Sequence, residues 1–355
     1  MTEVNQTNKL SKIKKVGKNI FYPSKYFFKL LSLLLIAFII LAWSISKGST
    51  EISFRDTLNI LFNNHVDNES SIIINQIRLP RVILAFIAGM SLGGSGMIMQ
   101  GIFRNPLVDP FIIGISGGAS LGAGISLIFN FNKSFFGIDT LPLFAFTGSF
   151  ISLIFAYSFS VINKRIFIDR LLLAGVAISS LTSAILSLLL TLKGQDANAV
   201  IFWIMGSFSG KSWEHLKIVL PYFIVSNLVF VFHLHKLNIL SLGDESAHNL
   251  GVDTQKTKIV LIIFASILSA SIVSVSGVIG FIGMIVPQIS RYFIKSHDYR
   301  FLYPIVILLG GILLTLSDTV SRIILIPQEI PVGIFTALLG VPFFMLLLRN
   351  SGKIH

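Results

Sequence analysis

The chain has 355 residues, 53% of them hydrophobic and 12% charged, and its 28 Lys and Arg against 16 Asp and Glu leave a net charge of +12. An average soluble domain carries about twice that charged fraction, so a water-soluble enzyme with a solvated surface is all but excluded. With no cysteine, disulfides, thiolate zinc sites, iron–sulfur clusters and cysteine nucleophiles are impossible.

Residues 1–29 hold Lys9, Lys12, Lys14, Lys15, Lys18, Lys25 and Lys29 with a single acid, Glu3, and Leu30–Trp43 follow without a charge. The apolar run continues to about Ser46 with no Ala-x-Ala site, which fits a first membrane span with its basic end inside rather than a cleaved signal peptide. About 20 apolar residues cross the roughly 30 Å of hydrocarbon. On that rule further spans are expected at 82–103, 111–130, 142–162, 171–192, 216–234, 301–325 and 332–349. The outer loop 47–77 places Phe54, Leu58 and Leu61 on one helical face, as in a short helix lying on the membrane surface.

Between Lys258 and Arg291 lie 32 uncharged residues, about 48 Å as one helix and too long for one crossing. Gly277, Gly280, Gly283 and Pro287 supply breaks, so two spans meeting near Gly277–Phe281 are expected. The expected fold is therefore an all-α polytopic membrane protein of ten transmembrane helices. Its parts are a basic cytoplasmic segment 1–29, a ten-helix domain 30–350 and a tail 351–355.

Ten spans put both termini on one side, and the charges agree with a cytoplasmic assignment. That side receives 19 basic and seven acidic residues, and the other side nine of each. The whole +12 thus falls inside, as the positive-inside rule requires. The basic excess is a topology signal rather than a nucleic-acid footprint.

Small residues recur at four-residue spacing, at Gly89 and Gly93 and at Gly114, Gly118 and Gly122, a pattern that lets helix backbones approach closely. Gly206-Ser-Phe-Ser-Gly210-Lys211-Ser212 superficially resembles a phosphate-cradling loop. Met205 stands where that loop needs its first glycine, so nucleotide binding by this chain is rejected. His233, His235, His248 and His297 converge with no carboxylates, and no metal site or cofactor is expected.

The cytoplasmic segment 237–258 is too polar to span. It carries helix punctuation instead: Ser241 or Gly243 as N-cap, Asp244 and Glu245 in the first turn, and Gly251 as a stop. An ordered helix pair here is expected to present Leu242, Ala247 and Leu250 to a cytoplasmic partner. Asp318 is an acid inside an apolar span, which raises proton relay as a possibility. Arg322, four residues on, favours an ion pair on one helix face.

Several runs together carry a family resemblance. They are Arg78-Leu-Pro-Arg81, Met99-Gln100-Gly-Ile-Phe-Arg-Asn105-Pro106-Leu-Val-Asp109-Pro110 with Gly114-Ile-Ser-Gly-Gly-Ala119, and Leu242-Gly243-Asp244-Glu245-Ser246-Ala247. They continue with Gly277-Val-Ile-Gly-Phe-Ile-Gly-Met-Ile-Val-Pro287-Gln-Ile-Ser-Arg291 and Glu329-Ile-Pro-Val-Gly-Ile-Phe-Thr-Ala-Leu-Leu-Gly340-Val-Pro342. In order and spacing the chain resembles the FecCD-type permeases of the vitamin B12 and iron–siderophore ABC importers, over about residues 30–350.

The resemblance implies a subunit without enzymatic activity that pairs with a second permease, identical or related. It also implies two cytoplasmic ABC ATPases and an extracytoplasmic substrate-binding (lipo)protein as partners, in a cell membrane. The segment at about 238–252, with Leu242, Gly243, Asp244, Glu245, Ser246, Ala247, Leu250 and Gly251, would couple to the ATPase. Arg78, Arg81 and Arg322 would grip acidic residues of the binding protein, headgroup anchoring being the plainer alternative. Spans five and ten would line the pathway, with Ser179, Ser180, Thr182, Ser183 and Thr336. An iron(III)–siderophore is the expected cargo, with haem and cobalamin open. An ion-coupled secondary transporter is the competing class, supported by Asp318 alone.

Overall fold

In hydrocarbon every backbone polar group must be satisfied within the segment, so long uncharged runs fold as helices. The computed structural model describes residues 23–48, 50, 52–62, 69–131, 139–163, 165–193 and 197–351. Lys9 to Lys18 and residues 352–355 lie outside the described residues.

In chain order the helices are α1 (Pro23–Ser46), α2 (Phe54–Phe62), α3 (Glu69–Phe103), α4 (Ile115–Ile128), α5 (Thr140–Ser160) and α6 (Ile168–Lys193). They continue as α7 (Ala197–Ile204), α8 (Trp213–Leu240), α9 (Asp244–Asn249), α10 (Thr254–Ser276), α11 (Ile282–Ile294), α12 (Tyr299–Ile323) and α13 (Val332–Ser351). A two-stranded antiparallel hairpin, β1 (Val161–Ile162) and β2 (Arg165–Ile166), joins α5 to α6. Seven helices (α1, α3, α5, α6, α8, α10 and α12) are long and apolar enough to cross a membrane. At the positions expected for the other three spans stand α4, α11 and α13, which are not among these seven. Of these α4, Ile115–Ile128, follows a tight turn at Pro110–Ile113.

The uncharged stretch after Lys258 breaks where expected: α10 ends at Ser276, Gly277 takes φ +72°, and α11 starts at Ile282. Two expectations change. The outer loop is shorter than read, because Glu69–Arg78 is already helical and extends α3, its Ile73–Arg78 part with π-helical bonding. The short helix α2 is present, but the face it turns inward carries Thr57 and Ile60, while Phe54 is exposed.

The buried centre is built of α3, α10 and α12, and α1, α5, α6 and α8 leave apolar flanks exposed. Glycines make that centre possible. A Cβ on Gly89 of α3 would lie 2.1 Å from the Gly310 carbonyl of α12, and one on Gly96 2.0 Å from the Gly283 carbonyl of α11. A Cβ on Gly122 of α4 would lie 2.1 Å from the Phe144 carbonyl of α5, so the glycine spacing is packing.

Candidate functional site

The segment between α8 and α10 is held in a defined shape. Gly243, φ +116°, turns the chain at the end of α8, and Gly251, φ +80°, stops α9, conformations that L side chains rarely adopt. Asp253 then caps α10 by accepting the Lys256 N–H at 3.1 Å. Ser241 does not cap α9; its hydroxyl donates to the Asn238 carbonyl at 2.6 Å. One helix stands here instead of the expected pair.

Leu242 and Leu250 are 65% and 60% exposed, so two apolar side chains stand largely uncovered at the ends of α9. Glu245 and Ser246 are exposed beside them. Ala247 is the correction: it is fully buried, in the same apolar cluster as Leu237, Leu240 and Val252, and anchors α9 rather than presenting it.

Asp244 fastens α9 to two membrane helices. Its carboxylate pairs with Arg104, at the end of α3, and with Lys258 in the first turns of α10. The Lys258 side chain is 4% exposed, so the pair is buried on the lysine side. Partial burial opposes ionisation of Asp244, but Lys258 and Arg104 outweigh it and hold the carboxyl below its ordinary range. Arg104 also donates to the Leu240 carbonyl at 3.1 Å, closing α3 onto α8.

Two further residues tie this end together. Gln100 of α3 donates to the Gly283 and Met284 carbonyls at 3.3 and 3.1 Å and accepts from Arg291 at 2.8 Å, joining α3 to α11. Gln255 of α10 accepts the Ile166 N–H of the hairpin at 3.0 Å. A cavity of about 610 Å³ lies between the hairpin and α9, with Arg165, Glu245, His248 and Asp253 in its wall.

At the opposite end the three arginines expected to face outward are buried. Arg78 donates to the Ile45, Ser46 and Thr50 carbonyls at 3.2, 2.8 and 2.6 Å, satisfying groups that the end of α1 leaves open. Arg322 pairs with Asp318 at 3.2 Å and donates to the Lys47 carbonyl at 3.0 Å. The i, i+4 ion pair is therefore present, and a third member joins it. Arg81 binds Asp318 and Glu329, each at 2.9 Å, and links α3, α12 and the segment leading to α13. Glu329, which sequence reasoning passed over, was visible only as an acid inside a family-like motif.

The expected pathway residues separate. Ser180 and Ser183 lie on the exposed face of α6, with Val176 and Leu181. Thr182 is buried and bonds the Ile178 carbonyl at 2.9 Å, and Ser179 and Thr182 both press on Gly117 of α4. Thr336 is buried in α13 and donates to the Gly333 carbonyl at 3.1 Å. Ser212, from the phosphate-loop lookalike, forms a capping box with His215 at the start of α8.

Long apolar helices around a glycine-packed centre, with a small capped helix fastened beneath them, define a multi-pass membrane permease. The FecCD transport family model matches residues 33–350, and the chain belongs to that family. It is 39% identical to the cobalamin import system permease protein BtuC of Halobacterium salinarum, over 80% of this chain and 75% of that one. Its identity to the Fe(3+)-citrate import system permease protein YfmE of Bacillus subtilis is 36%, over 91% and 96%. Among solved structures, an inward-facing transporter described as of metal-chelate ABC type superposes with a TM-score of 0.80, at 32% identity, covering 93% of this chain and 100% of that one.

Proposed function

We propose that the chain is the membrane subunit of an ATP-driven importer of iron(III)–siderophore chelates, crossing the membrane ten times with both termini in the cytoplasm. A second permease subunit completes the pathway, and ATP is hydrolysed on two separate cytoplasmic ATPase subunits. The observation that carries this reading is α9: Leu242 and Leu250 stand exposed on an element that Asp244 and Ala247 fix to α3, α8 and α10. A rigid lever with an apolar tip is what a nucleotide-driven partner needs in order to move membrane helices. In this reading Leu242, Leu250, Glu245 and Ser246 meet the ATPase, while Gly243, Asp244, Ala247 and Gly251 shape the lever.

An extracytoplasmic binding protein delivers the chelate at the opposite end. Arg78 and Arg322 are committed to α1, so Arg81 is the group open to exchange. Its partner Glu329 is 35% exposed in its side chain and can give way to an acidic group of the binding protein. The open face of α6, with Ser180 and Ser183, and α13 line the pathway. Cobalamin is the second reading for the cargo, favoured by the likeness to the cobalamin permease.

Co-purification of the ATPase tests the lever. Leu250→Asp and Gly251→Pro are expected to abolish it while the membrane domain keeps its melting temperature. Unchanged co-purification in both variants would remove α9 from the coupling role.

A further inference from the structure

The turn between α7 and α8 surrounds a second cavity, at the end of the molecule opposite α9. Its volume is about 350 Å³, near the lower bound of the roughly 300–1,000 Å³ typical of ligand pockets. Trp203 of α7, Ser207, Ser209 and Lys211 of the turn, Ser276 at the end of α10 and Glu329 contribute to its wall. The first turn of α13 abuts the same place, since a Cβ on Gly333 would lie 2.1 Å from the Met205 carbonyl. The cavity therefore opens where α7, α10 and α13 converge, above the helices assigned to the pathway.

Its polar groups are unevenly satisfied. Glu329 is neutralised by Arg81 at 2.9 Å. Lys211 is half-buried, and among the described residues it makes no hydrogen bond or ion pair. Burial draws its ammonium below the usual value, and the charge of Asp139 opposes this. Among the described residues the indole N–H of Trp203 is buried without an acceptor, and its ring forms wall rather than a donor to the cavity. Ser207 uses its oxygen to accept the Ser209 N–H at 3.1 Å and keeps its proton to donate. The wall thus offers a cation and a spare hydroxyl donor, and its carboxylate, Glu329, is held by Arg81; Lys211 also lines a neighbouring cavity with Asp139 and His215.

We propose that this cavity is the entry subsite for the cargo, and that it selects anionic, oxygen-rich iron(III) chelates, those bearing free carboxylates or catecholates, over neutral ones. The inference rests on the importer reading and adds a cargo class to it. Lys211 meets the chelate's negative oxygens in a charge-assisted contact, which is stronger than a neutral hydrogen bond. The Ser207 hydroxyl supplies a further donor to the ligand. The cavity grips one side of a chelate and leaves the rest toward the pathway.

The test uses the full-length chain in lipid nanodiscs, titrated with radio-iron-labelled ferric citrate, a ferric tris-catecholate and a neutral ferric trihydroxamate. Both anionic chelates are expected to bind saturably. Lys211→Gln should weaken them about tenfold or more, the loss of one charge-assisted contact, while Lys211→Arg keeps the affinity within about threefold. Binding of the neutral chelate should not respond to Lys211.

Absence of saturable binding by both anionic chelates overturns the proposal. Wild-type affinity in Lys211→Gln does so as well, as does an equal loss for the neutral chelate. If Lys211→Gln spares chelate binding and weakens capture of a binding protein, Lys211 is a docking contact and the subsite is refuted. ATPase co-purification in the α9 variants is read separately, so the importer reading and the entry subsite fail by different observations.

Discussion

Gln255, the second residue of α10, accepts the backbone N–H of Ile166 at 3.0 Å, across 89 positions of sequence. Ile166 closes the hairpin from which α6 starts at Ile168. The bond therefore connects the helix that follows α9 with the helix whose open face is assigned to the pathway. Gln255→Leu is expected to keep ATPase association while lowering the number of chelates moved per ATP hydrolysed in proteoliposomes. Gln255→Glu retains an acceptor and should restore most of that ratio. An unchanged ratio in Gln255→Leu would show that the hairpin carries no motion.

Asp318 faces two buried guanidinium groups, Arg81 at 2.9 Å and Arg322 at 3.2 Å. Removing one member of a buried pair leaves an uncompensated charge, which costs about 3–5 kcal/mol. Asp318→Asn should lose stability of that order in thermal or denaturant unfolding in detergent. ATP-driven uptake by the wild-type transporter should be indifferent to collapse of the proton gradient, because the carboxylate is engaged as an ion-pair partner.

Asp298 caps α12 and receives the Arg300 and Asn238 side chains, at 2.6 and 2.7 Å, just outside the membrane-spanning part of α12. The Arg300 hydrogen bonds, against partial burial, and the backbone and Asn238 contacts hold its carboxyl at about 2. A carboxyl depressed on folding stabilises fully above its unfolded value of about 4, and the contribution fades as pH falls toward the folded value. Protection against hydrogen exchange at the α8–α12 junction, relative to intrinsic exchange at each pH, should fall between about pH 4 and pH 2. In Asp298→Asn it should be lower from the outset and lack that step.

Gly96 and Gly280 form a matched pair for testing the packing. A Cβ at Gly96 meets the Gly283 carbonyl at 2.0 Å, whereas one at Gly280 meets nothing within 4 Å. Gly96→Ala should cost about 1–3 kcal/mol as an overpacked site, measured by thermal unfolding in detergent. Gly280→Ala should stay within about 0.5 kcal/mol of wild type.

Local features were readable in the sequence and distant pairings were not. The break at Gly277–Phe281 followed from counting uncharged residues against bilayer thickness, and the ends of α9 from two glycines around a polar core. The inward turn of Ala247 escaped because a six-residue helix is too short for periodicity to identify its buried face. The three arginines were read as outward-facing from their positions at span ends. Apart from the local Asp318–Arg322 pair, which the spacing did show, their acceptors, the last carbonyls of α1 and Glu329, lie far away in sequence, Glu329 being 248 residues from Arg81. Charge counting assigns a side to an arginine but does not find its partner. Lys211 drew notice only as part of a failed phosphate loop, and the wall around it is assembled from α7, the turn after it, the end of α10 and Glu329.

The glycine contacts also bear on how such a molecule can move. Where the Gly89 and Gly310 backbones touch, and where Gly118 meets Gly148, backbone meets backbone directly, with only Leu314 and Ser152 close beside, and little is left to absorb sliding or rotation. Each of these pairs, α3 with α12 and α4 with α5, behaves as a single stiff plank. Any swing between outward and inward access is then confined to the seams between planks. The Pro110–Ile113 turn joins one plank to the other, so spin labels placed across it, easily introduced into a chain without cysteine, would report the stroke that labels within a plank would miss.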